Sequence, residues 1–299
     1  MSVPPQAQGL RIRTHRPGAG LQWVRQGLRL FAGQPLVLIV LVGLGPLFLA
    51  SLQVVPLLGD LAAFVLTPAV ALGMLNVCRT ARRGGIPGVS GYVAGLRVPL
   101  ARLRIVQLGL VYAVFAGTIA LLVSLVPPEH TAVPEPVGTG AVAGAAGTAA
   151  APPADALPAN AGIPGAALPG PVLVGLLVLL IPFAMAIWFA PALVGWHAMV
   201  VPKALFFSFF ACWRNRLAIL VYLLSLLGLW VVAVMVVGVL VDVLNAKDGL
   251  APYLLLAPLV FLTLTISQCA NLGMVEAVID DGTQPDAAAL GQPPAVPPS

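Results

Sequence analysis

Charge is scarce in this sequence. Asp, Glu, Lys and Arg make up 8% of its 299 residues, where a soluble domain carries about 25%. Such a chain cannot cover a water-facing surface. A hydrophobic content of 60% and a mean hydropathy of +1.01 place it instead among polytopic membrane proteins. Lysine occurs only at Lys203 and Lys247, and the abundance of Arg, Ala, Gly and Pro hints at a GC-rich bacterial genome. The cysteines are few: Cys78, Cys212 and Cys269 form no CxxC pair, and an odd number cannot complete a disulfide framework. They read as small buried hydrophobes on a reducing side of the membrane.

The chemistry-bearing patterns are lacking as well. No Asp, Glu, Lys, Arg or His lies deep in an apolar run, which argues against a proton-coupled pump or a charge-lined channel. Gly84-Gly85 and GVSG lack the lysine and the strand–loop–helix setting of a phosphate loop, and no nucleophile–base pair stands out. No catalytic residue, metal site or cofactor is expected. The net charge of +5 is no sign of nucleic acid, because the cations flank apolar runs.

What is present is apolar length. Pro35 to Val77 would make a single helix of about 65 Å, twice the bilayer core, so the run must turn. Pro56, Gly59 and Asp60 supply the break. Six spans are expected near 36–55, 60–78, 105–126, 171–193, 217–241 and 251–273. The first begins after a long basic lead and reads as a retained span, not a cleaved signal. The expected fold is an all-α, polytopic transmembrane helix bundle with amphipathic interfacial helices preceding membrane hairpins.

The segments between the spans complete the layout. Residues 1–35 form a basic lead with an interfacial helix. The three-span region 36–126 contains an Arg-rich loop at 79–104. The Ala/Pro/Gly-rich loop 127–170 has too few large apolar residues to bury and is expected to be disordered. The second three-span region, 171–273, carries an interfacial helix at 202–215, and 274–299 is expected as a disordered tail.

Six spans put fourteen of the fifteen cations on one side, leaving only Lys247 on the other. By the positive-inside rule both termini are then cytoplasmic, in the inner membrane of a bacterium. The basic loops would attract anionic headgroups of the bilayer, at about 1 kcal/mol per cation.

PKALFFSFFACWRNR, Pro202 to Arg216, is as apolar as a span but reaches only about 22 Å. On a helical wheel Leu205, Phe206, Phe209, Phe210, Cys212 and Trp213 fill one side. Lys203, Ala204, Ser208, Ala211, Arg214 and Asn215 fill the other. This pattern suits a helix lying in the membrane interface with its second face wet. The lead repeats it, with Trp23, Val24, Gly27, Leu28, Leu30 and Phe31 opposite Gln22, Arg25, Gln26 and Arg29. A shift of 182 places Trp23 on Leu205 and Phe31 on Trp213, suggesting repeated units of interfacial helix plus hairpin. Trp23, Leu28, Phe31, Phe206, Phe209, Phe210 and Trp213 are the expected membrane-interface residues.

A second set is a candidate cavity lining. Pro182 and Pro191 would kink the fourth span, and broken helices line sites in transporters. Trp196 and His197 follow at the cytoplasmic end, though no second ligand has metal spacing with His197. Gln268 and Asn271 of the sixth span, with Asn76 of the second, offer hydrogen bonds either to a vestibule or to neighbouring helices.

The strings WVRQGLRLFAGQPL (23–36), FAPALVGWH (189–197) and PKALFFSFFACWRN (202–215) resemble a family of predicted integral membrane proteins from betaproteobacteria that carries no assigned activity. The layout also resembles a broader group that includes the membrane domains attached to glycerophosphodiester phosphodiesterases. This chain has no such enzyme domain, so that activity is not implied. The loop at 127–170 is longer than the family's usual connection, and QCANLGMVEAVIDDG fits the pattern poorly. The expected role is non-enzymatic, in scaffolding, assembly or envelope homeostasis. The alternative is a transporter or lipid-handling protein for a neutral or lipidic substrate. Protein partners are not indicated.

Overall fold

The computed structural model describes residues 11–95, 99–124, 170–244 and 251–280. For 170–173, 251–253, 255 and 280 only the backbone course is described. The 127–169 loop, Arg97, Lys247 and the tail beyond 280 lie outside the described residues.

In chain order the elements are β1 (Arg11–Ile12), α1 (Ala19–Gly33), α2 (Pro35–Leu52), α3 (Leu58–Arg82), α4 (Ser90–Ala94), α5 (Pro99–Ser124), α6 (Gly170–Trp188), α7 (Ala190–His197), α8 (Val201–Arg214), α9 (Arg216–Val243), α10 (Ala251–Val278) and β2 (Ile279–Asp280). Among the described residues six helical runs are long and apolar enough to cross a membrane: α2, α3, α5, the Val174–His197 run of α6 and α7, α9, and α10 from Leu256. The chain is an all-α bundle of six spans.

Two compact units are distinguished. The smaller, Gly117–Leu179, contains the last turns of α5 and the first of α6, where Leu121, Val174 and Val178 are exposed. The larger, 1–116 with 180–299, holds the core. That core gathers the C-terminal halves of α3 and α10 with α1, α7 and α8, and includes Leu72, Leu75, Val77, Phe189, Leu193, Leu272 and Met274. By contrast Val231, Val232, Met235, Val236 and Val239 of α9 are exposed. Since lipid tails are as apolar as leucine, such a surface needs no polar cover in a bilayer, and helix association depends on close packing.

Small residues supply that closeness. α1 packs most extensively against α10 and α9. A Cβ on Gly27 would lie 2.7 Å from the Cα and Cβ of Ala270, and one on Gly20 would meet the Ala218 carbonyl. Between α2 and α3 the chain reverses through a γ-turn. Leu58 N–H donates to Pro56 O at 2.7 Å, with Leu57 at φ 63° and ψ −58°. This hand of γ-turn is rare and strained for a residue with a Cβ. Asp60 in the first turn of α3 suits the positive end of its dipole.

Four expectations change. The expected tail does not begin at 274: α10 continues to Val278, with Met274, Val275 and Val278 fully buried. These apolar residues recur at helical spacing, and the adjacent acidic residues masked that pattern. β2 then pairs antiparallel with β1, Arg11 opposite Asp280, so residues 11 and 280 meet at one end of the bundle.

The expected wet face of the 202–215 helix is largely its packed face. Ala204, Ser208, Ala211 and Asn215 are buried, and only Lys203 and Arg214 of that side are exposed. Small side chains let α8 approach its neighbours, whereas the phenylalanine side is too bulky for such contact.

Trp23 does not face the membrane either. At 3% exposure it sits edge-on to His15 and Tyr222, because the glycine face of α1 is buried against α9 and α10. Finally, the shift of 182 does not preserve the buried positions. Trp23 and Val24 are buried, but Leu205 is half-buried and Phe206 is 60% exposed.

Candidate functional site

The fourth span breaks between α6 and α7, and the break follows from composition. Pro191 has no N–H, which frees the carbonyl four residues earlier, on Ile187. The phenol of Tyr112 on α5 donates to that carbonyl at 3.4 Å. At Phe189 the i→i−4 bond to Met185 is replaced by a side chain from another helix. Ser208 Oγ accepts from Phe189 N–H at 2.9 Å and donates to Met185 O at 2.8 Å. An inserted side chain of this kind is a recognised cause of helix kinks. Cys212, one turn along α8, points its thiol at the same carbonyl, 3.4 Å away. Burial pushes that thiol up to about 12, so it stays protonated at neutral pH.

The broken span therefore carries no open row of backbone groups here. Phe189, Ala190, Ala192, Leu193 and Val194 are fully buried. Pro191 is buried among them and Pro182 is exposed within α6, so the two prolines share no lining. α7 ends at Ala198 in the left-handed region (φ 45°, ψ 40°), Met199 N–H returns to Leu193 O at 3.3 Å, and α8 starts at Val201-Pro202. This tight turn brings α8 back against α7 and delivers Ser208 to the break.

A second polar group lies toward the C-terminal ends of α3 and α10. Trp196 Nε1–H donates to Asn76 Oδ1 at 2.8 Å, and Asn76 Nδ2–H donates to Gly91 O of α4 at 3.2 Å. The guanidinium of Arg79 lies 4.3 Å from the centre of the Trp196 ring, close enough for a cation–π contact. Arg79 Nε is also 3.3 Å from Glu276 Oε1, and Arg82 Nη1 is 2.9 Å from Glu276 Oε2. One carboxylate on α10 thus holds two arginines of α3, one of which covers the tryptophan of α7. Between the same two helices, α3 and α10, Cys78 and Cys269 meet with sulfurs 3.7 Å apart, both free and buried.

Other expected site residues are placed apart from this group or on its edge. His197 ends α7 beside Trp196. Asn271 Oδ1 is buried with no hydrogen-bond partner among the described residues, and Gln268 is half-buried on the same helix. Leu28 is exposed and Phe31 half-buried on α1; Phe206, Phe210 and Trp213 are exposed on α8, where Phe209 stacks on Trp213.

Sequence reading missed Ser208, Tyr112, Glu276 and Asn215. Asn215 Oδ1 accepts from His15 N–H at 2.8 Å and its Nδ2–H donates to Arg13 O at 3.0 Å. This asparagine ties the segment between β1 and α1 to the α8–α9 junction. A lone serine on the alanine face of α8, about two helical turns after its start at Val201-Pro202, is the one pattern that points to Ser208 in advance.

The fold and these ties define a polytopic, all-α membrane protein whose polar side chains bind its helices to one another. No family model and no solved structure matches the chain. It is 30% identical over 207 residues to the probable inner membrane protein BTH_II0599 of Burkholderia thailandensis, covering 68% of this chain and 70% of that one. The chain belongs to the family of that betaproteobacterial inner membrane protein. It is a multi-pass inner membrane protein.

Proposed function

We propose that the protein is a non-enzymatic scaffold of the inner membrane, serving assembly or envelope homeostasis. The observation that carries this reading is the closure of the fourth-span break by Ser208 and Tyr112. The backbone groups that the break frees at Met185, Ile187 and Phe189 are bonded to side chains of other helices, not left open to a solute. The Asn76–Trp196–Arg79–Glu276 cluster extends the same brace across α3, α4, α7 and α10. This packing favours a scaffold over the alternative route for a neutral or lipidic solute.

In this reading both termini lie in the cytoplasm. The cation distribution supports that orientation, as does the pairing of Arg11 with Asp280, which puts these two residues on one side. The arginine-rich end then faces anionic headgroups. Phe206, Phe210 and Trp213 enter the cytoplasmic leaflet from α8. Purification of the tagged chain from native membranes, with deletion of its gene, tests the role. A reproducible co-purifying membrane protein and an envelope defect are expected. A chain that purifies alone from a strain without any envelope phenotype contradicts the reading.

A further inference from the structure

A groove of about 640 Å³ opens between α2, α3 and α4, away from the fourth-span break. Its walls include Leu44 and Phe48 of α2, Leu66 and Ala69 of α3, Val93 of α4, and Val89 just before α4. The volume falls within the roughly 300–1,000 Å³ of small-molecule sites. Tyr92 at its floor supplies the only hydroxyl among the lining residues, and that hydroxyl already donates to Leu41 O at 2.7 Å. Burial pushes the Tyr92 phenol up to about 12, so it remains a neutral donor. The groove therefore has room for an apolar occupant and no group left to read a polar one.

The occupant's other end is indicated by charge. Arg79 and Arg82 are held by Glu276, but Arg83 is exposed and has no ion-pair partner among the described residues. Ile86, at 92% exposure, projects from the loop between Arg83 and α4. Ala69 lies fourteen residues before Arg83, or about 21 Å along the helix, which is the depth of one leaflet including its headgroups. We propose that this groove holds an acyl chain of one anionic membrane phospholipid, with its headgroup at Arg83. This site does not depend on the scaffolding reading.

The test uses the full chain, purified from membranes in mild detergent, with bound phospholipid identified by native mass spectrometry. Phosphatidylglycerol or cardiolipin is expected to remain bound in preference to phosphatidylethanolamine. Ala69→Phe, and independently Val93→Trp, should remove it while the thermal unfolding transition persists. Arg83→Gln should weaken retention roughly fivefold and erase the headgroup preference. Val236→Phe, on the exposed face of α9, should change nothing. Equal retention of neutral and anionic lipids, loss in the Val236 variant equal to that at Ala69, or retention unaffected by both groove variants would mean annular lipid only and overturn the proposal. A dimer whose groove is covered by a second copy would overturn it as well.

Discussion

Ser208 occupies a position where a small hydroxyl does what a methyl group cannot. It receives an N–H and supplies an O–H to a carbonyl within a low-dielectric helix bundle, and it is itself 0% exposed. Ser208→Ala orphans the Phe189 N–H and leaves the Met185 carbonyl only the weaker Cys212 thiol, and is expected to cost about 1–3 kcal/mol. Ser208→Thr, which keeps the hydroxyl, should cost less. Denaturant titration of the detergent-solubilised chain measures both; equal stability of Ser208→Ala and the parent would contradict the assigned bonds. Cys78 and Cys269 give a second test. A membrane-permeant oxidant should join this pair, whose sulfurs are 3.7 Å apart, without engaging Cys212. Peptide mapping after alkylation reads the outcome, and a Cys212 linkage would contradict the packing of α3 on α10. The buried, raised-pKa Cys212 thiol should resist maleimide at neutral pH until the protein is denatured.

At the scale of elements, α1 depends on its glycines. Gly27→Leu places a side chain where the backbone of Ala270 lies and is expected to destabilise the fold by about 1–3 kcal/mol or more. The same substitution at Gly33, which has open space around it, should be close to neutral. Thermal unfolding in detergent compares the two, and similar losses at both positions would argue against close α1–α10 packing. The spans themselves were legible in the sequence, because a long apolar run must cross or turn, and a proline–glycine–aspartate cluster marks the turn. The facing of short helices was not. On a wheel, bulky apolar residues look like the buried side. In lipid, bulky residues can face outward at no cost, and the alanine–serine–glycine side is the one that fits another helix. That is why Trp23 with its flanking glycines turned inward while Phe206 and Trp213 turned outward. The type and position of Asn76 mark it as a candidate tie between helices, but nothing local names its partners, Gly91 fifteen residues and Trp196 120 residues away.

On the scale of the whole molecule, the first and last of the described residues meet. β1 pairs with β2, His15 Nε2 lies 3.0 Å from Ala277 O, and Glu276 clamps α3. Removing residues 274–280 with the segment that follows should therefore unfold or severely destabilise the bundle. Protease resistance of the membrane-inserted truncation reads the loss, and a stable chain ending at 273 would contradict the role given to α10 and β2. Glu276→Ala should cost about 2 kcal/mol, less than a fully buried pair because Arg82 is partly solvated.

The central claim is that the break in the fourth span is sealed by the protein's own side chains, so that the bundle acts as a brace. Thiol labelling in intact membranes tests it most directly, using Ala190→Cys or Ala192→Cys in a chain without its native cysteines, with Lys203→Cys as the exposed control. Sealing predicts that the control is labelled by a small hydrophilic reagent while positions 190 and 192 are not, from either side of the membrane. Rapid labelling at 190 or 192 in the folded protein would reveal a water-filled path through the break and contradict the account.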